Sequence, residues 1–180
     1  MADRTYKLEL IMKWSNVKLF AVASASLFLT AFPAAHAEEP AENASPIYGV
    51  TVPDGYRQWE MIAPSEEAGS LNELRVILGN PTAVKAIQKA TQPFPDGTIL
   101  AKLAWKRTQS TRFATATIPG AATSVSFMVK DSKKYATTGG WGFGQFVNGQ
   151  PVSVAKHQAC FACHQALAKD QDFVFTRFAP

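Results

Sequence analysis

The sequence predicts a mainly β domain of the α+β class, in which an antiparallel sheet packs against a few helices. Six short runs rich in Val, Ile, Phe, Trp and Thr are separated by turn signals, which is typical of strands. Helix signals are few, as expected when helices cover an antiparallel sheet. A Cys-x-x-Cys-His pattern near the C-terminus marks one of these helices as the candidate functional element.

The first elements follow from their turn residues. A strand at 57–62 follows Pro-Asp-Gly, and a strand at 73–78 ends at Gly-Asn-Pro. Asn80 of that turn can cap a helix at residues 82–90, with Pro81 at the first helical position.

The later elements alternate in the same way. A strand at 98–106 follows Pro-Asp-Gly-Thr, and strands at 112–117 and 124–130 flank a Pro-Gly turn. A short helix is predicted at 131–136, and a strand at 141–147 follows Gly-Gly.

Length and composition predict one compact domain behind a removable leader. The chain has 180 residues, of which 47% are hydrophobic and 18% are charged. Residues 1–37 combine a basic segment, an uncharged apolar run and Ala-His-Ala, which is the order of a secretory signal peptide. We expect cleavage there, a flexible lead-in at 38–46 and a domain at 47–180. The protein would then be periplasmic.

Charge and leader length exclude two classes of partner. Without residues 1–37, which hold four basic and two acidic side chains, the formal net charge falls from +4 to +2. This balance is too weak to favour nucleic acid as a partner. The apolar run of the leader is shorter than the roughly 20 residues needed to span a bilayer, so we expect no membrane span after cleavage.

The Cys160-Phe-Ala-Cys163-His164 run is the c-type haem attachment pattern. On a helix predicted at residues 157–169, thiols at i and i+3 share a face and can reach two vinyl groups on one porphyrin edge. The adjacent imidazole can then bind the iron. We therefore predict one covalently attached haem c, held by Cys160 and Cys163 and ligated by His164.

Three other interpretations of the cysteine pair compete with haem attachment. A thioredoxin-like pair would begin a helix in a βαβ unit, and no alternating β/α pattern surrounds this one. A zinc site needs about four ligands, and beyond residue 37 the chain offers only the two cysteines, His157 and His164. A disulfide over two intervening residues would stabilise little. His157 is expected to be a capping or surface histidine.

Several segments, taken in order, resemble the cytochrome P-460 family and its relative cytochrome c′-beta. They are residues 74–78, 95–98, 128–136, the Gly-Gly-Trp-Gly-Phe-Gly run, the haem motif and residues 172–180. The resemblance covers most of residues 50–180. It implies a haem placed against the sheet, five-coordinate iron and handling of hydroxylamine and nitric oxide in the periplasm. It also implies a periplasmic redox partner cytochrome and a homodimer.

The resemblance assigns Lys102 to the lysine that members of the family join to a meso carbon of the haem. On its predicted strand Lys102 shares a face with Leu100 and Ala104. Desolvation there would lower its pKa and free a nucleophilic amine. The alternative is an edge-strand lysine whose ammonium reaches water.

Two further residues are assigned by the resemblance. Arg75 matches an arginine of the distal pocket, where it would hydrogen-bond a nitrogen ligand; the alternative is a surface salt bridge with Glu73. The strand at 124–130 has no acid where hydroxylamine-oxidising members carry a distal carboxylate. We expect Phe127 there, as an apolar lid over the haem; an alignment slip of one residue would instead place Ser126 or Met128.

Three functions follow from these assignments. The first is an enzyme that oxidises hydroxylamine or nitric oxide, although proton removal from hydroxylamine needs a base. The second is a non-catalytic nitric-oxide-binding protein of the cytochrome c′-beta type. The third is an electron carrier with Met61 or Met128 as the sixth ligand, although Met more often fills a core. Whether the protein is an enzyme stays open at this point.

Overall fold

A computed structural model describes residues 42–179; the predicted signal peptide and residues 38–41 of the lead-in lie outside the described residues. Within residues 42–179 the chain forms one six-stranded antiparallel sheet and two α-helices, which confirms the predicted fold class. The strands lie side by side in chain order: β1 (Glu60–Glu67), β2 (Glu73–Gly79), β3 (Ile99–Gln109), β4 (Thr117–Lys130), β5 (Trp141–Val147) and β6 (Gln150–Pro151).

The strand pairing assigns side chains to two faces of the sheet, because residues directly opposite each other share a face. Lys102 on β3 lies opposite Ile77 of β2 and Ser126 of β4, and this side is called the Lys102 face. Ala101 lies opposite Phe127, and that side is called the Phe127 face. The Phe127 face carries part of the core: Phe127 and Phe146 are both fully buried.

The helix α1 (Pro81–Gln88) begins as predicted. Asn80 Oδ1 accepts hydrogen bonds from the backbone N–H of Ala83 at 2.9 Å and of Ile99 at 3.1 Å, and Pro81 occupies the first helical position. One side chain therefore caps the helix and ties its start to β3.

Two predicted boundaries need correction at the start of the sheet and at the hairpin of β3 and β4. The strand predicted at 57–62 is a 3-10 helix (Tyr56–Gln58) followed by β1, since the left-handed Gly55 (φ 67°) begins a tight turn. The strand predicted at 112–117 is the end of the hairpin, where the Ser110 hydroxyl accepts from the N–H groups of Arg112 and Phe113. That local bonding competes with strand pairing.

The helix predicted at 131–136 is also wrong. Asp131 Oδ1 accepts from the N–H groups of Lys133 and Lys134, and Gly139 and Gly140 then reverse the chain in left-handed conformations. The segment before β5 therefore consists of turns and a 3-10 helix (Ala136–Thr138).

The helix α2 (Val154–Ala168) carries the cysteines, and it begins three residues earlier than predicted. A 3-10 helix (Lys169–Gln171) follows it, and the chain then turns back toward the sheet. The C-terminal segment, residues 174–179, reaches the first strand, where Ala179 N–H donates to the Ile62 carbonyl at 2.9 Å.

The described end of the predicted flexible lead-in is anchored to the sheet. Ser45 is buried; its hydroxyl donates to the Phe143 carbonyl at 2.9 Å and accepts from the Val50 N–H at 3.0 Å. The prediction of a flexible segment up to residue 46 is therefore corrected, because the hydroxyl satisfies two backbone groups at once. None of the helices among the described residues has the length and apolar character needed to cross a membrane.

Candidate functional site

A cavity of about 790 Å³ lies between the Lys102 face, α2 and the C-terminal segment. Its volume falls within the roughly 300–1,000 Å³ of typical ligand sites. The lining includes all six site residues predicted from the sequence: Arg75, Lys102, Phe127, Cys160, Cys163 and His164. Residues far apart in the chain are thus brought to one site by the sheet and α2.

The two cysteines lie on α2 as free thiols, three residues apart. Cys160 is partly buried, and Cys163 is exposed at the cavity. The spacing places both sulfurs on the same side of the helix. They are available for covalent attachment of a group that enters the cavity.

His164 is oriented by the chain that follows α2. Its Nδ1 lies 2.7 Å from the Phe173 carbonyl oxygen, and a carbonyl only accepts, so Nδ1 carries the proton and Nε2 keeps its lone pair. The ring centroid is 5.1 Å from that of Phe143 and 4.8 Å from that of Phe175. Burial lowers the pKa of His164 despite the bond to Phe173, and Lys102 lowers it further. Neutral imidazole is the form that binds metal.

Lys102 lies on the cavity wall in an environment that disfavours its charge. Burial lowers the pKa of Lys102, and the positive charge of Arg75 lowers it further, while Glu73 and the two cysteines oppose the shift. Lys102 does not lie on an edge strand, as the alternative required, since β3 lies between β2 and β4, and the residue is partly buried. A neutral amine at this position is a nucleophile.

Arg75 is fixed by Glu73 rather than free in the cavity. Its Nε and Nη2 donate to Glu73 Oε2 at 2.9 and 2.8 Å, and the Thr123 hydroxyl donates to Glu73 Oε1 at 2.7 Å. Glu73 is only 6% exposed, so this is a largely buried pair and not the surface salt bridge weighed as an alternative. Arg75 also lines the cavity, so its pairing with Glu73 is compatible with the predicted place in the pocket; contact with a ligand stays a prediction.

Phe127 is among the lining residues, but its ring does not form the predicted apolar lid. The Phe127 ring packs edge-on against Tyr56 and Phe146, with centroids 5.1 and 6.0 Å apart, on the face of the sheet opposite Lys102. Ser126 is the residue that faces Lys102 across the strand pair and lines the cavity. The position of the distal residue on β4 therefore holds a hydroxyl and not an aromatic ring.

A carboxylate that sequence reasoning missed borders the cavity from β1. Glu67 Oε1 accepts from the Gly69 N–H at 2.9 Å, and Oε2 accepts from the Leu71 N–H at 3.1 Å. Glu67 lies on β1 and not on the strand at 124–130, to which the resemblance points for a distal acid. The C-terminal segment was missed as part of the lining too, because its residues form no helix or strand.

His157 is buried and is not a surface histidine. Its Nδ1 lies 3.1 Å from the Ser153 carbonyl oxygen, and its Nε2 accepts from the Gln145 N–H at 3.0 Å. Both ring nitrogens are therefore occupied: Nδ1 bonds to the residue at the cap position of α2, and Nε2 links α2 to β5. This argues against His157 as a fourth ligand of a zinc site with the cysteines.

The donor set fits haem. One cavity is bordered by two unpaired thiols with helical spacing and by the adjacent neutral imidazole. Its wall also has an apolar part, which includes Phe143. The family model described as Cytochrome P460 matches residues 53–176, a span that contains all six predicted site residues. A search of curated proteins found no match. The chain therefore belongs to the Cytochrome P460 family, which comprises haem c cytochromes generally linked to hydroxylamine oxidation.

Proposed function

We propose that the protein is a periplasmic c-type cytochrome with one haem, attached through Cys160 and Cys163 and ligated by His164, that oxidises hydroxylamine or nitric oxide. The observation that carries this proposal is the convergence of both thiols, the His164 imidazole, Lys102 and Arg75 on one cavity. When bound, the haem would supply an iron that coordinates the nitrogen ligand and accepts its electrons.

The residues of the chain have separate roles in this proposal. The fixed guanidinium of Arg75 would hydrogen-bond a small nitrogen ligand, with little reorganisation because Glu73 already holds it. Lys102 would bond through Nζ to a meso carbon of the porphyrin. That bond replaces one N–H and one C–H, so two protons and two electrons pass to an oxidant such as a peroxide.

Oxidation of hydroxylamine also needs a base that removes its protons. Ser126 faces Lys102 and carries no carboxylate, whereas Glu67 borders the cavity with both oxygens accepting backbone hydrogen bonds. We assign proton removal to Glu67, the carboxylate that lines the cavity in the described part of the chain.

Ser126 also favours a second candidate, a nitric-oxide-binding protein without turnover. A hydroxyl at this position can hydrogen-bond a ligand but is a poor base.

An electron carrier is disfavoured by the positions of the methionines. Met61 does not border the cavity. Met128 does, but it pairs with Phe143, whose ring contacts His164, which places Met128 on the side of the cavity where His164 lies.

The optical spectrum of the reduced, haem-loaded protein tests the proposal. A strongly red-shifted band would support a lysine-modified haem, and an ordinary five-coordinate high-spin spectrum would support the binding protein. A sharp low-spin spectrum, with carbon monoxide binding slowly until Met128→Ala is introduced, would overturn both. Steady-state hydroxylamine oxidation separates enzyme from binder, with Glu67→Gln expected to lose turnover and Glu66→Gln, an exposed neighbour, serving as the control.

Covalent attachment is tested on denatured protein. Haem should stay with the wild-type chain on a denaturing gel, Cys160→Ala or Cys163→Ala should weaken attachment, and the double variant should abolish it. Release of haem from intact wild-type protein would contradict the assignment.

The same proposal includes a periplasmic location, a redox partner cytochrome and a homodimer. Cell fractionation tests the location, and sedimentation of the purified protein tests the homodimer.

A further inference from the structure

A buried ion pair joins β4 to the chain that follows α2. Lys130 Nζ lies 2.9 Å from both carboxylate oxygens of Asp172, donates to the Gly139 carbonyl at 3.0 Å and sits 4.9 Å from the centroid of the Trp141 ring. Lys130 is 5% exposed. The ammonium has partners in three directions, so its position is well defined.

The same carboxylate holds a third part of the chain. Asp172 Oδ2 also accepts from the Phe94 N–H at 2.8 Å. Asp172 is thus fixed by β4 on one side and by the loop before β3 on the other. The two residues are 42 positions apart in sequence. The ion pair is therefore a long-range link between β4 and the segment beyond α2, and not a local cap of the helix.

The backbone at this point has an unusual conformation. Asp172 (φ 48°) and Phe173 (φ 65°) are consecutive residues in the left-handed region, and neither is glycine. The Phe173 N–H donates to the Ala168 carbonyl at 2.8 Å, and its ring packs 5.7 Å from that of Phe161. Any Cβ at Gly139 would collide with this ring, so glycine there makes room for it.

The carbonyl of Phe173 is the acceptor for His164 Nδ1, at 2.7 Å. A continuous series of contacts therefore runs from Lys130 through Asp172 and Phe173 to His164. A hydrogen bond from the second nitrogen of a ligating histidine fixes its tautomer and orientation and raises its basicity. A more basic ligand favours ferric over ferrous iron.

We infer that Lys130 and Asp172 are positioning residues for His164: the ion pair holds the left-handed turn that aims the Phe173 carbonyl at His164 Nδ1. The inference rests on the proposed function in one respect, the assignment of His164 as the iron ligand. Neither Lys130 nor Asp172 touches the cavity, so their effect on the haem would pass through His164 alone.

The test uses the haem-loaded protein and two readouts, the iron–histidine stretching band in the resonance Raman spectrum of the ferrous form and the midpoint reduction potential. Asp172→Asn removes the charge but keeps an oxygen for the Phe94 N–H and a side chain that tolerates the left-handed region. Lys130→Met removes the other partner. Asp96→Asn is the matched control, since that carboxylate also accepts two bonds, from Ser132, but lies outside the series of contacts.

We expect both variants to shift the stretching band to lower frequency and the potential to more positive values, with Asp96→Asn unchanged. Folded, haem-loaded variants with the wild-type band and potential would overturn the inference and leave the ion pair a purely structural feature. A wild-type protein without an iron–histidine band would overturn the proposed ligand and the inference with it. A lower melting temperature alone would not count in favour, because any structural pair would produce it.

Discussion

At the scale of single residues, Lys102 has the most specific consequence. It lies on the cavity wall with a lowered pKa, because burial and the charge of Arg75 disfavour its ammonium form. We predict that digestion of haem-loaded protein yields the peptide with Lys102 linked through haem to the peptide with Cys160 and Cys163. Lys102→Ala should return the spectrum to that of an ordinary c-type haem with both thioethers intact. Unmodified Lys102 in haem-loaded protein, seen by mass spectrometry, would contradict the cross-link.

Glu73 is the carboxylate that holds Arg75 at the cavity wall. Burial by itself raises the pKa of Glu73, but hydrogen bonds from Thr123 and Arg75 outweigh burial and hold the pKa below its usual value. Glu73→Gln should therefore reduce the free energy of unfolding by about 1.5–3 kcal/mol at neutral pH. The exposed pair of Glu66 and Arg107 provides the control, and Glu66→Gln should cost about 0–1 kcal/mol.

The pH dependence of Glu73→Gln has a defined sign. A carboxylate with a lowered folded-state pKa contributes stability that is present above its unfolded pKa, about 4.3, and is lost as pH falls through the folded value. The difference between wild type and Glu73→Gln in urea unfolding should therefore be constant near neutral pH and shrink below about pH 4. A difference that grew on acidification would contradict the assigned charge.

The sequence predicted which residues belong to the site better than it predicted the face of the sheet on which each side chain lies. The cysteines and His164 are adjacent in the chain, so their geometry follows from one helix. Phe127 was assigned to the cavity although Ser126 faces Lys102. Successive residues of a strand lie on opposite faces, so an assignment that slips by one residue exchanges the faces. Alternation alone does not say which face of β4 borders the cavity; that follows from the pairing of Ser126 with Lys102.

At the scale of elements, the cap of α1 can be tested directly. Asn80 Oδ1 accepts from two backbone N–H groups, one in the helix and one at the start of β3. Asn80→Ala should therefore lower the free energy of unfolding by about 1–2 kcal/mol, the upper part of the range for a cap. Ser153 occupies the cap position of α2 without a side-chain hydrogen bond, so Ser153→Ala should have a much smaller effect. Equal losses in thermal unfolding would contradict this difference.

The elements that were predicted well have strong local signals, and those predicted wrongly do not. α1 has Asn-Pro at its start, and β5 follows Gly-Gly. Residues 112–117 and 131–136 were misassigned because serine and aspartate side chains bond to nearby N–H groups and form turns. Composition in such segments does not distinguish a turn from a short strand or helix.

At the scale of the whole molecule, the ion pair of Lys130 and Asp172 joins the sheet to the chain beyond α2. Removing one member leaves a buried charge without its partner, which typically costs about 3–5 kcal/mol. We predict a loss of this size for Lys130→Met in denaturant unfolding. Arg107→Met, which breaks an exposed pair, should cost about 0–1 kcal/mol. Similar values for the two variants would show that burial of the pair has little influence.

The order of the six strands in the sheet has a consequence for how fast the chain folds. Each strand pairs with its predecessor in sequence, so most of the pairings close short loops at little cost in chain entropy; the longest connection, between β2 and β3, contains α1. Refolding should therefore be faster than in β-sandwiches of similar length whose strands cross over. Among the contacts that depart from this local order are two near the ends of the described chain: the Ser45 hydroxyl reaches Phe143, 98 residues away, and Ala179 reaches Ile62. We expect these two hydrogen bonds to form last during folding. In stopped-flow experiments, Ser45→Ala should therefore fold at the wild-type rate and unfold faster.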